Sequence, residues 1–78
     1  MSDNKIKELR IAKGMTAKEL SKKVKMALYT IYHYERGKLQ LGNANFLTIF
    51  KLCNALKCKP SDLFVDKTIV EKLIKMGM

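Results

Sequence analysis

The chain has no tryptophan, one proline, one histidine and two cysteines, and each scarcity closes off a class of protein. Cys53 and Cys58 stand five apart with no second cysteine pair, and His33 is the only histidine, so no zinc-ligand set can be assembled. Both cysteines fall within or at the end of an apolar helical pattern and are expected as buried thiols in a reducing cytoplasm. No apolar run approaches ~18 residues, and the opening MSDNKIKELR holds none at all, so neither a membrane span nor a signal peptide is expected. Paired carboxylates, a Cys–His pair close in sequence and a glycine-rich phosphate loop are all missing. The expectation is therefore a non-enzyme with no cofactor and no small-molecule ligand. Acidic residues are also few: seven Asp and Glu against sixteen Lys and Arg leave a net charge of +9. Such a field favours polyanions, nucleic acid first and an anionic membrane second. The plainer alternative is a lysine-rich surface that keeps a small domain soluble.

What is present reads as short helices throughout one domain of 78 residues. A chain of this length buries about 60% of its unfolded surface, so its core must be economical. Ile6, Leu9 and Ala12 or Lys13 follow helical spacing over residues 4 to 13, with Gly14 as the stop. Thr16 and Glu19 form a capping box, flanked by Met15 and Leu20 as a hydrophobic staple, and open a second helix over about 16–24. Lys25-Met26-Ala27 interrupts it, and a third helix covers about 27–36. The segment KLQLGNAN is loop-like, with Asn43 or Asn45 to cap a fourth helix. There Phe46, Ile49, Phe50, Leu52, Cys53 and Leu56 form a wide apolar stripe expected at the centre of the core. Pro60 suits the first turn of a fifth. The remainder, DKTIVEKLIKMGM, is amphipathic, with Ile69, Val70, Leu73 and Ile74 on one side. The expected organisation is a domain over 1–64 and a C-terminal extension over 65–78, a short helical tail that packs back or meets a partner chain. Repeats, linkers and low-complexity tracts are absent.

The stretch LYTIYHYERGK is the least ordinary part. With Ile31 and Tyr34 facing inward, a rotation of 100° per residue turns Tyr29, His33 and Arg36 nearly opposite, with Thr30 and Tyr32 on the flanks. Charge concentrates nearby: residues 16 to 38 hold Lys18, Lys22, Lys23, Lys25, Arg36 and Lys38 against Glu19 and Glu35. Exposed aromatics on a basic helix suit either a nucleic-acid face or a protein interface, where tyrosine is enriched. For His33 a merely solvated position is the alternative, and for Tyr32 a lean against the domain edge.

Two helices this short, joined by a tight turn and closing on Leu20, Val24, Met26, Ile31 and Tyr34 with small Ser21 between them, make a helix-turn-helix pattern. The string T-x-x-E-L-S-x-x-V … I-x-x-Y-E-R-G-K resembles the lambda-repressor-like DNA-binding domains, the Cro/repressor type also called XRE. IKELRIAKGM before it and ALKCKPSDLF after it match that family's first helix and its last two, so the resemblance covers residues 4 to 64. It implies an all-α, compact five-helix fold and a structural salt bridge between Arg10 and Glu35; the alternative leaves these as two surface charges that never meet. Three departures stand out. Lys25 occupies the turn position where the family usually has glycine. Ala17 replaces a glutamine that bonds a phosphate, leaving only a helix N-terminal amide for an anion. The loop after Gly37 is longer than usual.

The resemblance implies that the positions of Ala27, Leu28, Tyr29 and His33 contact bases. Ala27 and Leu28 suit thymine methyls, Tyr29 offers one hydroxyl bond, and His33 offers a donor to guanine. Arg36 and Lys38, with Lys18, Lys22 and the Ala17 amide, suit phosphates, as do Thr30 and Tyr32 at the flanks. The expected function is a sequence-specific double-stranded DNA-binding transcriptional regulator, a repressor, cytoplasmic and homodimeric. The alternative is a protein-interaction or antitoxin-like module of the same fold.

Overall fold

The computed structural model describes residues 2–65. Five α-helices follow one another: α1 (Ile6–Ala12), α2 (Ala17–Val24), α3 (Leu28–Arg36), α4 (Phe46–Leu56) and α5 (Pro60–Leu63), with a 3-10 turn at Leu41–Asn43 before α4. Among the described residues the only β-type pairing is one antiparallel bridge between Asn4 and Phe64. The expected extension over 65–78 lies outside the described residues beyond Val65.

The helix ends follow from local chemistry. The Thr16 hydroxyl accepts from the Glu19 amide at 3.1 Å, and the Glu19 carboxylate accepts from the Thr16 amide at 3.2 Å, so two otherwise unpaired donors at the start of α2 are satisfied together. Asn45, rather than Asn43, caps α4, its side chain accepting from the Thr48 amide at 2.9 Å. Pro60 stands in the first turn of α5. At the end of α1, Gly14 adopts φ 67°, and the Met15 amide returns to the Arg10 carbonyl at 3.0 Å.

The turn between α2 and α3 is three residues long. Lys25 sits there in the left-handed region at φ 55°, ψ 46°, while the Met26 amide donates to the Ser21 carbonyl at 2.9 Å. A Cβ in this conformation crowds the following carbonyl and costs about 1–2 kcal/mol, of which glycine's extra unfolded-state entropy would return about half. Lys25→Gly is therefore expected to raise stability by about 0.5 kcal/mol. The check is the urea midpoint; a fall would show that the lysine stem supplies a contact worth more than the strain.

The core joins Ile6, Ala17, Leu20, Val24, Ile31, Tyr34, Leu41, Ile49, Leu52, Cys53, Leu56, Leu63 and Phe64, with Leu9, Met15 and Met26 packed at its edge. Ser21, buried where α2 meets α3, returns its hydroxyl to the Lys18 carbonyl at 2.7 Å, which lets the two helices cross closely without an unpaired polar group. Two expectations need correction. Phe46 and Phe50 are exposed instead of central. The face of α4 that meets α1 and α2 centres on Ile49, Leu52, Cys53 and Leu56; Phe50 lies roughly a quarter turn away and Leu47 nearly opposite. Likewise Ala12 and Lys13 are both exposed at the end of α1, which buries Ile6 and half-buries Leu9.

Candidate nucleic-acid interface

Helix α3 has one side in the core and one side in solvent. Ile31 and Tyr34 are buried, whereas Tyr29 is 66% accessible and Leu28, Tyr32 and Arg36 are exposed. Ala27, the residue before α3, is exposed and extended, and its carbonyl accepts the first amides of the helix, from Thr30 at 3.0 Å and Ile31 at 3.3 Å. No side chain caps this end. The N–H groups of Leu28 and Tyr29, which precede these bonds, lie at the exposed start of α3, at the positive end of the helix dipole.

The side chains on the outer face are paired along the helix. Tyr29 and His33, four apart, meet edge to face with ring centroids 5.6 Å apart and planes at 66°. The Arg36 guanidinium lies over the Tyr32 ring, 5.3 Å from its centroid. Tyr32 therefore belongs to the polar face and stacks on a cation there. His33 and Thr30 are half-buried, and Lys18, Lys22 and Lys38 are exposed. Ala17 differs: its side chain is in the core, so only its amide, in the first turn of α2 where N–H groups have no intrahelical acceptor, remains to meet an anion.

Two sets of buried polar contacts hold α3 in place. Arg10 of α1 donates from Nε to Glu35 Oε2 at 2.8 Å and from Nη2 to Oε1 at 3.1 Å, a bidentate pair whose side chains are 11% and 4% accessible. Arg10 Nη1 also donates to the Met15 carbonyl at 3.0 Å, which ties in the turn before α2. The hydrogen bonds that Arg10 donates to Glu35 raise the Arg10 pKa above its already high ordinary value, against the opposing effect of burial.

The second set escaped the sequence reading. Asn4 is buried; its Nδ2 donates to the Tyr34 carbonyl at 3.1 Å, and its Oδ1 accepts from the Ile6 amide at 3.1 Å. Its neighbour Asp3 accepts from the amides of Leu41 and Gly42 at 3.0 and 2.8 Å. The segment before α1 thus binds the end of α3 and the loop before α4. The only sequence signal was a short Ser-Asp-Asn cluster, which reads equally well as an ordinary cap.

The loop after α3 folds back on it: the Leu39 amide donates to the His33 carbonyl at 3.2 Å, and Gln40 Nε2 donates to the Gly37 carbonyl at 3.0 Å. Gly37 at φ 83° makes the reversal that sends Lys38 outward from the end of the helix. Away from this face, Cys53 and Cys58 are free thiols, buried and half-buried. Burial pushes the Cys53 pKa up to about 12 and raises that of Cys58, so both are protonated at neutral pH. Among the described residues no group of three or more His, Cys, Asp or Glu gathers as a metal site, and no helix is long and apolar enough to cross a membrane.

Comparison with known proteins agrees with this geometry. The family model of the Cro/C1-type HTH DNA-binding domain matches residues 5–68. Among solved structures, the restriction-modification controller protein C.AhdI from Aeromonas hydrophila is 32% identical over 77% of this chain and 86% of its own, with a TM-score of 0.68. No curated protein matches. An all-helical fold with a solvent-facing α3, a family match over most of the chain and a regulator as structural neighbour lead to one assignment: the chain belongs to the Cro/C1-type HTH DNA-binding family and is a DNA-binding transcriptional regulator.

Proposed function

We propose that the protein is a sequence-specific repressor that binds double-stranded DNA as a homodimer, with α3 in the major groove. The observation that carries this reading is the outer face of α3, where Tyr29 is two-thirds accessible and meets His33 edge to face. Ala27, Leu28, Tyr29 and His33 read base edges, the first two through thymine methyls and the others through single hydrogen bonds. The Ala17 amide, Lys18, Lys22, Thr30, Arg36 and Lys38 meet phosphates and set the register, with Tyr32 lying under Arg36. With no Gln, Asn or Arg at the tip of α3, much of the selectivity rests on methyl contacts and duplex shape.

The dimer follows from the scale of the reader. One helix of nine residues covers too few base pairs, and two copies about one duplex turn apart correct this. Phe46, Leu47 and Phe50 of α4 form an exposed apolar face, with the two phenylalanine rings 6.5 Å apart, that suits an isologous contact. Leu47 is 61% accessible, so Leu47→Asp leaves the fold intact while placing a charge in that contact. The expected result is at least ~30-fold weaker self-association by sedimentation equilibrium, the effect of disrupting one central interface side chain. An unchanged dimer would move the interface elsewhere.

The function itself is tested by selecting bound duplexes from a random pool at near-physiological salt. Enrichment of a sequence with two-fold symmetry supports a dimeric regulator. Salt-insensitive association with a protein and no enriched sequence would instead make the aromatic face a protein interface, as in an antitoxin-like module. The neighbouring structure is that of a restriction-modification controller, and the operator and regulated genes of this chain are to be sought with the selected sequence.

A further inference from the structure

We propose that Tyr32 is a positioning residue for DNA binding, its ring serving as the platform that holds the Arg36 guanidinium in the direction from which it meets a phosphate. This rests on the DNA-binding reading of α3 and assigns Tyr32 a different role from direct contact. Arg36 is the last residue of α3, and the guanidinium carbon stands 5.3 Å from the Tyr32 ring centroid, one turn back on the same face. The acid nearest in sequence, Glu35, is not available to it, because both Glu35 oxygens already accept from Arg10. Arg10–Glu35 is the sole ion pair among the described residues. Arg36 is thus exposed, without an acidic partner among the described residues, and steered by an aromatic face.

An arginine side chain free to sample its rotamers loses conformational entropy when it is fixed on a ligand. Stacking on a ring removes part of that freedom before DNA arrives, yet leaves all five N–H donors pointing outward in the guanidinium plane. A cation at the end of α3 also opposes the negative pole of the helix dipole, so the arrangement costs the free protein little.

The test separates ring from hydroxyl and platform from DNA. In the free protein, NMR should show the Arg36 side-chain protons shifted upfield by the ring current in the wild type and in Tyr32→Phe, and not in Tyr32→Leu. On a selected duplex, Tyr32→Phe is expected to bind as the wild type does, whereas Tyr32→Leu binds about threefold more weakly for each recognition helix engaged. In an Arg36→Ala background, Tyr32→Leu should have no further effect. An equal loss in Tyr32→Phe would overturn the proposal in favour of a direct hydroxyl contact, and an undiminished loss in the Arg36→Ala background would show that Tyr32 acts independently. Absence of the ring-current shift in the wild type refutes the platform whatever the DNA results. Salt-independent or absent duplex binding by the wild type, with the shift present, refutes the DNA-binding reading of the face and with it the proposed role.

Discussion

Glu35→Ala is expected to lower folding stability by about 3–5 kcal/mol, enough to leave a substantial unfolded population in a domain of this size. The reason is what the substitution leaves behind. Arg10 is 11% accessible and makes three hydrogen bonds, two of them to Glu35; with the carboxylate gone, only the Met15 carbonyl remains as acceptor for a guanidinium that cannot shed its proton. An unpaired cation held away from water costs more than the intact pair contributes, because desolvation is no longer offset by attraction. The companion variant makes the same point with the opposite sign. Replacing both partners, as Arg10→Met with Glu35→Leu, removes the charge and keeps the volume, and is expected to recover most of the loss. Urea unfolding of the two variants decides it: a loss under about 1 kcal/mol for Glu35→Ala would mean that water reaches Arg10 as it does in a surface pair. Since the pair joins α1 to α3, its loss is also expected to loosen α3 before the domain unfolds.

The second large effect concerns DNA, and the outer face of α3 divides it into two kinds. Arg36→Ala combined with Lys38→Ala is expected to weaken binding to every duplex alike. Each lost phosphate contact reduces the slope of log affinity against log salt by about 0.9, so two contacts in each half of the proposed dimer reduce it by about 4. At physiological salt this amounts to a loss on the order of a hundredfold or more. Tyr29→Ala with His33→Ala should do the reverse: the salt slope stays, while the ratio of selected to scrambled duplex falls about tenfold per half-site. Titrations at three salt concentrations on both duplexes read both effects at once. If the Tyr29 and His33 pair changes the slope and not the ratio, those residues touch the backbone and the reading surface lies elsewhere on the domain.

Much of this architecture is legible in the linear chain because it is written in short-range chemistry. The capping box of Thr16 and Glu19, the stop at Gly14 and the proline opening α5 each act within four residues, and the structure places all three where the spacing does. The inward set of α2 and α3 is equally local, since 100° per residue suffices to separate Ile31 and Tyr34 from Tyr29. Periodicity failed on α4. It marks a face as apolar without saying how wide a neighbour covers it, so Phe46 and Phe50 read as core and stand exposed. Asn4 was illegible for a related reason: an asparagine before a helix is an ordinary cap, and nothing local shows that its amide group reaches a carbonyl thirty residues away.

Sequence alone therefore determined the helical class, the order and limits of the elements, the inner and outer sides of α3 and the excess of positive charge, because each depends on backbone chemistry within a turn or on a sum over residues. Only the tertiary structure decided which side chains act together. It fastened α3 through Asn4, set Arg36 over Tyr32 instead of beside Glu35, and left the face of Phe46, Leu47 and Phe50 exposed, whereas the Arg10–Glu35 pair, twenty-five residues apart, was already implied by the family resemblance. Those outcomes depend on the crossing of packed helices and on which polar groups find partners when water is expelled. Both are properties of the assembled core, which no local stretch of chain carries.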